Sequence, residues 1–229
     1  MEKQMKSVNN KEQIRKLVTL SLLTAVAYLS IYLIHFKVQF LTFDVKNVFI
    51  TIAAMIFGPI AGIVISLVAA VLELLLFSTT GFYGFVMNFL SSASFAAVAA
   101  LIYRGRRTVI SSYLSLFSAS LVSTAVMLVA NLFITPYYMG VSITEVAEMI
   151  PKLFFPFNLL KCLVNAALIL IFYKPISFAL RRSKMIQKEK REERYFNQRT
   201  VISLVAALTL IAASLVVFFL VLGGKISFG

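Results

Sequence analysis

Phe155-Pro156-Phe157-Asn158-Leu159-Leu160-Lys161-Cys162-Leu163-Val164-Asn165 opens an apolar run that continues to Tyr173, yet it carries one lysine and two asparagines. Asn158, Lys161 and Asn165 stand at i, i+3 and i+7, so a helix projects all three from one stripe. A lysine inside a membrane helix costs roughly 2.5 to 3.5 kcal/mol on insertion scales, so such a residue normally faces a partner or a cavity. The stretch therefore predicts a membrane-spanning helix with one polar face. The rest of the chain must supply the other walls of a pocket.

Composition places that helix in a membrane. The chain has 229 residues, 60% hydrophobic and only 14% charged, with a mean hydropathy of +0.92, which excludes an ordinary soluble domain. A net charge of +13 would point to nucleic acid in a soluble protein. Here the basic residues fall in particular loops and read as topology signals, so no nucleic-acid partner is implied. The single cysteine, Cys162, excludes an internal disulfide and a cysteine-based metal cluster, and the single histidine, His35, excludes a polyhistidine site. Lys3, Lys6, Lys11, Arg15 and Lys16 precede the first apolar run, but no small-residue cleavage site follows. Residues 1–16 are read as a retained cytoplasmic tail.

Apolar runs long enough to cross about 30 Å of hydrocarbon occur near 17–36, 85–103, 109–135, 153–174 and 200–222. A longer run, 45–77, is interrupted by Phe57-Gly58-Pro59, where a tight turn splits it into helices over 45–57 and 60–77. The predicted fold is an all-α integral membrane protein. Residues 17–180 form a six-helix domain, 181–199 a charged linker, and 200–229 an additional transmembrane helix with a short tail. With the N-terminus inside, segments 1–16, 104–108 and 174–199 hold 17 of the 22 Lys and Arg residues. That split puts the N-terminus in the cytoplasm and the C-terminus outside.

This topology sorts the polar residues by depth. Asp44, Lys46 and Asn47 open the second helix, Glu73 closes the third, and Tyr83 and Asn88 start the fourth. Asn131 and Tyr137 finish the fifth, and Asn158, Lys161 and Asn165 start the sixth. All fall in the outer half of the bundle, whereas the cytoplasmic halves carry little polarity beyond Ser. A polar layer open to one side and sealed towards the other is the layout of a binding cup rather than a pore. Glu73 also has the simpler reading of neutralising Lys46 or Lys161, and each lone Asn that of joining helices.

The available chemistry is recognition. There is no His-Glu metal motif, no nucleophile elbow and no Gly-rich Lys-Ser/Thr phosphate loop, so the chain does not hydrolyse ATP itself. Phe40, Phe43, Phe82, Tyr83, Phe85, Phe133, Tyr137 and Tyr138 surround the amides and the ammonium with aromatic surface. That mix suits a flat heteroaromatic ligand with a polar edge, and packing against lipid is the simpler reading of any one ring.

Several stretches together resemble a known family. They are Phe57-Gly58-Pro59-Ile60-Ala61-Gly62, Leu72-Glu73-Leu74-Leu75 with Ser78-Thr79-Thr80-Gly81, and Met87-Asn88-Phe89-Leu90-Ser91. They continue with Ala130-Asn131, Thr135-Pro136-Tyr137-Tyr138-Met139-Gly140, Pro156-Phe157-Asn158-Leu159-Leu160-Lys161 and Tyr173-Lys174-Pro175-Ile176-Ser177. Over residues 14–182 the chain resembles the substrate-binding S components of energy-coupling factor (ECF) vitamin transporters, and among them the riboflavin-specific members.

The resemblance implies six helices holding the vitamin near the outer face, under the loop between helices 1 and 2. It carries flavin-ring contacts onto Asn131, Asn158 and Lys161, and contacts at the start of helix 2 onto Thr42, Asp44 and Asn47. It also implies that the chain only binds vitamin. Transport then requires a membrane coupling subunit and two cytoplasmic ATPases of a bacterial cell membrane, with flavin as cargo and no resident cofactor. Docking in the family uses small residues four apart on helix 1, matched here by Ser21 and Ala25, with serine in place of the family's first alanine. An S component for a pterin or thiamine-like vitamin, and a membrane enzyme or assembly subunit, are the alternative readings.

Overall fold

The computed structural model describes residues 2–33, 35–38, 41–76, 80–105 and 108–186, and discontinuous positions within 201–216. Helix α1 spans Glu2–Leu33, followed by strands β1 (His35–Val38) and β2 (Leu41–Asp44). Then come α2 (Lys46–Phe57), α3 (Pro59–Leu76), α4 (Gly81–Gly105), α5 (Val109–Met139) and the short α6 (Ile143–Met149). A π-helical turn, Ile150–Phe154, leads into α7 (Phe155–Arg182). Among the described residues, α1, α3, α4, α5 and the continuous helical stretch Ile143–Arg182 are long and apolar enough to cross a membrane.

Helix α2 is the exception. Its 12 residues rise only about 18 Å at 1.5 Å each, well short of a bilayer core. Yet nine of them, from Lys46 to Met55, are buried, so α2 is the central post around which the longer helices pack. It ends at Gly58, whose φ of 102° is open to glycine without strain. Pro59 then starts α3 with its ring angle preset for a helix. At Gly62 a Cβ would lie 2.6 Å from the Cβ of Ala54 and 3.2 Å from that of Ala96, so α2, α3 and α4 meet where one residue has no side chain.

The core has two main parts. Ile52, Phe95, Leu116 and Ile169 join α2, α4, α5 and α7. Leu23, Ala27, Ile50 and Ile65 join α1, α2 and α3. A smaller cluster, Val146, Leu153 and Phe154, seats α6 and the π-helical turn.

Several boundaries differ from the sequence reading. The first helix does not run over 17–36: it ends at Leu33, and His35–Val38 pairs antiparallel with Leu41–Asp44, His35 opposite Asp44 and Val38 opposite Leu41. The cause is the polar-apolar alternation of His35-Phe36-Lys37-Val38-Gln39-Phe40, which has the period of a strand. The all-α description therefore gains a small hairpin. At the other end, the stretch read as a tail is helical from Glu2, because no Pro or Gly interrupts it before Leu33. The fourth helix starts before the run 85–103, with Gly81 to Gly84 as the first turn of α4. Helix α7 passes Pro175 and reaches Arg182, with Ser177 and Leu180 still buried beyond the proline. Most of the linker 181–199 and much of the run 200–222 lie outside the described residues; where positions in 201–216 are described, the backbone is helical.

Candidate substrate-binding site

One end of α4, α5 and α7, with the β2 side of the hairpin, surrounds a cavity of about 140 Å³. Tyr83, Met87, Asn88 and Ser91 line it from α4, and Met127, Asn131, Ile134, Thr135 and Tyr138 from α5. Phe157, Asn158 and Lys161 line it from α7, while Leu41 of β2 and Thr80 close it. The rings of Tyr83 and Tyr138 stand 6.5 Å apart, tilted by 57°.

The amides are oriented by their own helices. Asn131 donates Nδ2–H to the Met127 carbonyl at 2.7 Å and accepts the Thr135 hydroxyl on Oδ1 at 3.0 Å. Asn158 donates to the Phe154 carbonyl at 2.8 Å, a bond in which the π-helical turn takes part. Both side chains are thereby held in one rotamer before any ligand arrives, which lowers the entropy cost of binding.

The charges form a buried quartet. Lys161 Nζ donates to Asp44 Oδ2 at 2.9 Å. Lys46 Nζ lies 3.7 Å from the same oxygen and contacts both oxygens of Glu73, at 2.5 and 2.6 Å. Asp44 is 2% exposed, Lys46 2%, Lys161 7% and Glu73 8%, so little water screens them, and two positive charges answer two negative ones. At Asp44, on the hairpin, burial opposes the charged form, but the ammonium groups of Lys161 and Lys46 and their hydrogen bonds outweigh it. They hold its carboxyl below the usual carboxylate range. Among the described residues, no group of His, Cys, Asp and Glu could hold a metal ion.

The sequence candidates separate on this geometry. Asn131, Asn158, Lys161, Asn88 and Tyr83 share the cavity. Asp44 reaches it only through Lys161. Asn47 is buried and accepts the Ser92 hydroxyl at 2.6 Å, away from the lining. Glu73 is engaged with Lys46, and Tyr137 is 77% exposed, because the register of α5 turns the next residue, Tyr138, inward. The side chain of Thr42 lies outside the described residues. Asn165 donates to the backbone of Asp44 and Lys161 at 3.4 and 2.9 Å and so ties α7 to β2. Ser21 and Ala25 are exposed one turn apart on α1.

Sequence reasoning missed Ser91, Met127 and Thr135. Ser91 and Thr135 stand three residues after Asn88 and four after Asn131, on the same helix faces. That spacing was the signal for both, and Met127, four before Asn131, follows the same rule.

The family model for the ECF transporter, substrate-specific component, matches residues 15–177. The riboflavin transporter RibU of Staphylococcus aureus (strain TCH60) is 32% identical over 182 residues, which cover 76% of this chain and 96% of that protein. A solved structure described as the S component of a bacterial ECF transporter superposes with a TM-score of 0.63 at 32% identity, covering 74% of this chain and 99% of its own. With sequence and fold in agreement over the same helices, the chain belongs to the substrate-specific, or S, components of ECF transporters.

Proposed function

We propose that this protein captures riboflavin at the cavity between α4, α5 and α7 and delivers it for uptake. The observation that carries the reading is the convergence of Asn131, Asn158 and Lys161 on one cavity, in a chain similar to a protein named as a riboflavin transporter. The pyrimidine edge of a flavin alternates carbonyl acceptors with an N–H donor. Two fixed amides and an ammonium match that alternation, and Tyr83 and Tyr138 offer aromatic surface to the ring.

The chain acts as a binding subunit rather than an enzyme. A membrane coupling subunit and two ATPases supply the energy, and Ser21 and Ala25 give α1 a face that another helix can approach closely. The hairpin end of the bundle faces outward, with the N-terminus in the cytoplasm and the C-terminus outside, as the distribution of basic residues supports.

The test is direct. Detergent-purified protein is titrated with riboflavin while flavin fluorescence is followed, beside thiamine and a pterin as competitors. Saturable quenching at one flavin per chain, not displaced by the competitors, is expected. A monodisperse protein that leaves riboflavin fluorescence unchanged sinks the assignment.

A further inference from the structure

Of the four buried charges beside the cavity, only Lys161 lines it. Its position depends on Asp44, and a single carboxylate oxygen of Asp44 faces two ammonium groups, Lys161 at 2.9 Å and Lys46 at 3.7 Å. Lys46 is on the helix that Asp44 leads into, two residues away, and its backbone N–H donates to Asp44 Oδ1 at 3.3 Å. Left without another partner, Lys46 would compete for Asp44 from a position closer in sequence than that of Lys161. What draws it off is Glu73, from α3, whose two oxygens grip it at 2.5 and 2.6 Å. Attraction falls with distance and is strong where water is excluded, so the shorter, two-oxygen contact decides which carboxylate Lys46 serves.

We propose that Glu73 is a positioning residue for the binding site: by engaging Lys46 it reserves Asp44 for Lys161, and so fixes the Lys161 ammonium at the cavity wall. Glu73 does not line the cavity. It acts through Lys46 and Asp44, which gives the acidic residue on α3 a part in recognition although the cavity is built by other helices. The inference rests on riboflavin binding as proposed above.

Two substitutions that break the same ion pair separate positioning from mere support. Glu73→Gln leaves Lys46 to turn to Asp44 and loosen Lys161. Lys46→Met leaves Asp44 to Lys161 alone, and Lys46 does not line the cavity. Both lower the melting temperature of the unliganded protein, but only Glu73→Gln weakens riboflavin affinity, by about tenfold or more, while Lys46→Met stays within about threefold of wild type. A parallel loss of affinity in both variants, or none in Glu73→Gln, overturns the inference.

Should Glu73→Gln fail to fold, the double variant Lys46→Met/Glu73→Gln decides, because it keeps the Asp44–Lys161 pair in a neutral setting. Retained binding supports positioning, and lost binding overturns it. Wild-type protein that takes up no riboflavin overturns the functional reading itself, whereas wild-type binding with Glu73→Gln unaffected overturns this inference alone.

Discussion

Lys161 on α7 donates to the carboxylate of Asp44, 117 residues earlier in the chain, at 2.9 Å, with both groups buried. Removing one member of such a pair leaves an uncompensated charge in a dry core, which costs about 3 kcal/mol or more. Lys161→Met and Asp44→Asn are therefore each expected to lower the thermal unfolding temperature in detergent. In the double variant Asp44→Asn/Lys161→Met part of that stability returns, while riboflavin affinity stays at least tenfold weak because the cavity has lost its ammonium. If affinity returns with stability in the double variant, Lys161 is a strut and not a ligand contact.

The pH dependence of Asp44 has a definite sign. Its folded pKa is depressed, so its contribution to stability is complete above the unfolded value of about 3.9 and is lost as pH falls through the folded value. The difference in melting temperature between wild type and Asp44→Asn should stay constant from about pH 7 to about pH 5. A difference that has already closed near the upper part of that range would contradict the depressed state.

Thr135 gives its hydroxyl to Asn131 Oδ1 at 3.0 Å. Thr135→Val keeps the shape and removes that bond, worth about 1 kcal/mol. The expected result is a severalfold weaker riboflavin affinity in a fluorescence titration, with the melting temperature lowered by only about 2 to 4 °C, both restored by Thr135→Ser. Equal affinity in the valine and serine variants would show that the Asn131 amide needs no such support.

Gly62→Ala should destabilise the protein even though alanine favours helices by roughly 1 kcal/mol over glycine. The added methyl would sit 2.6 Å from the Cβ of Ala54, and forcing helices apart in a packed core costs about 1 to 3 kcal/mol. Ala54→Gly in the same chain should recover part of the loss, read as melting temperature. A Gly62→Ala protein as stable as wild type would mean that α2 and α3 separate freely.

The long helices were legible because their apolar runs exceed what a strand or a buried soluble helix needs, and Gly58-Pro59 marked the break in the one run that held two. The polar layer was legible too, since lipid tolerates no unpaired lysine at position 161. Which carboxylate meets which ammonium was not legible. Glu73 could serve Lys46 or Lys161 at equal cost in the sequence, and only the packing of α3 against the start of α2 brings it to Lys46. The hairpin was hidden because its alternation, His35 to Phe40, abuts a helix-length apolar run and has no Gly or Asn turn to announce it. Helix α6 left a signal that went unused. Ser142-Ile143-Thr144-Glu145 has the spacing of a capping box, and Ser142 Oγ does accept the Glu145 N–H, at 3.3 Å.

The charge quartet also bears on how the protein is made. Synthesis and membrane insertion proceed from the N-terminus, so Asp44, Lys46 and Glu73 enter the bilayer together with one negative charge in excess, and the balancing ammonium arrives only with α7. A chain that has inserted α1 to α5 is thus electrically incomplete at its centre, and the last helix of the domain is drawn into place by a debt of charge as well as by its apolar surface. Products truncated before Phe155 keep Asp44, Lys46 and Glu73 but lack Lys161, so they retain that imbalance.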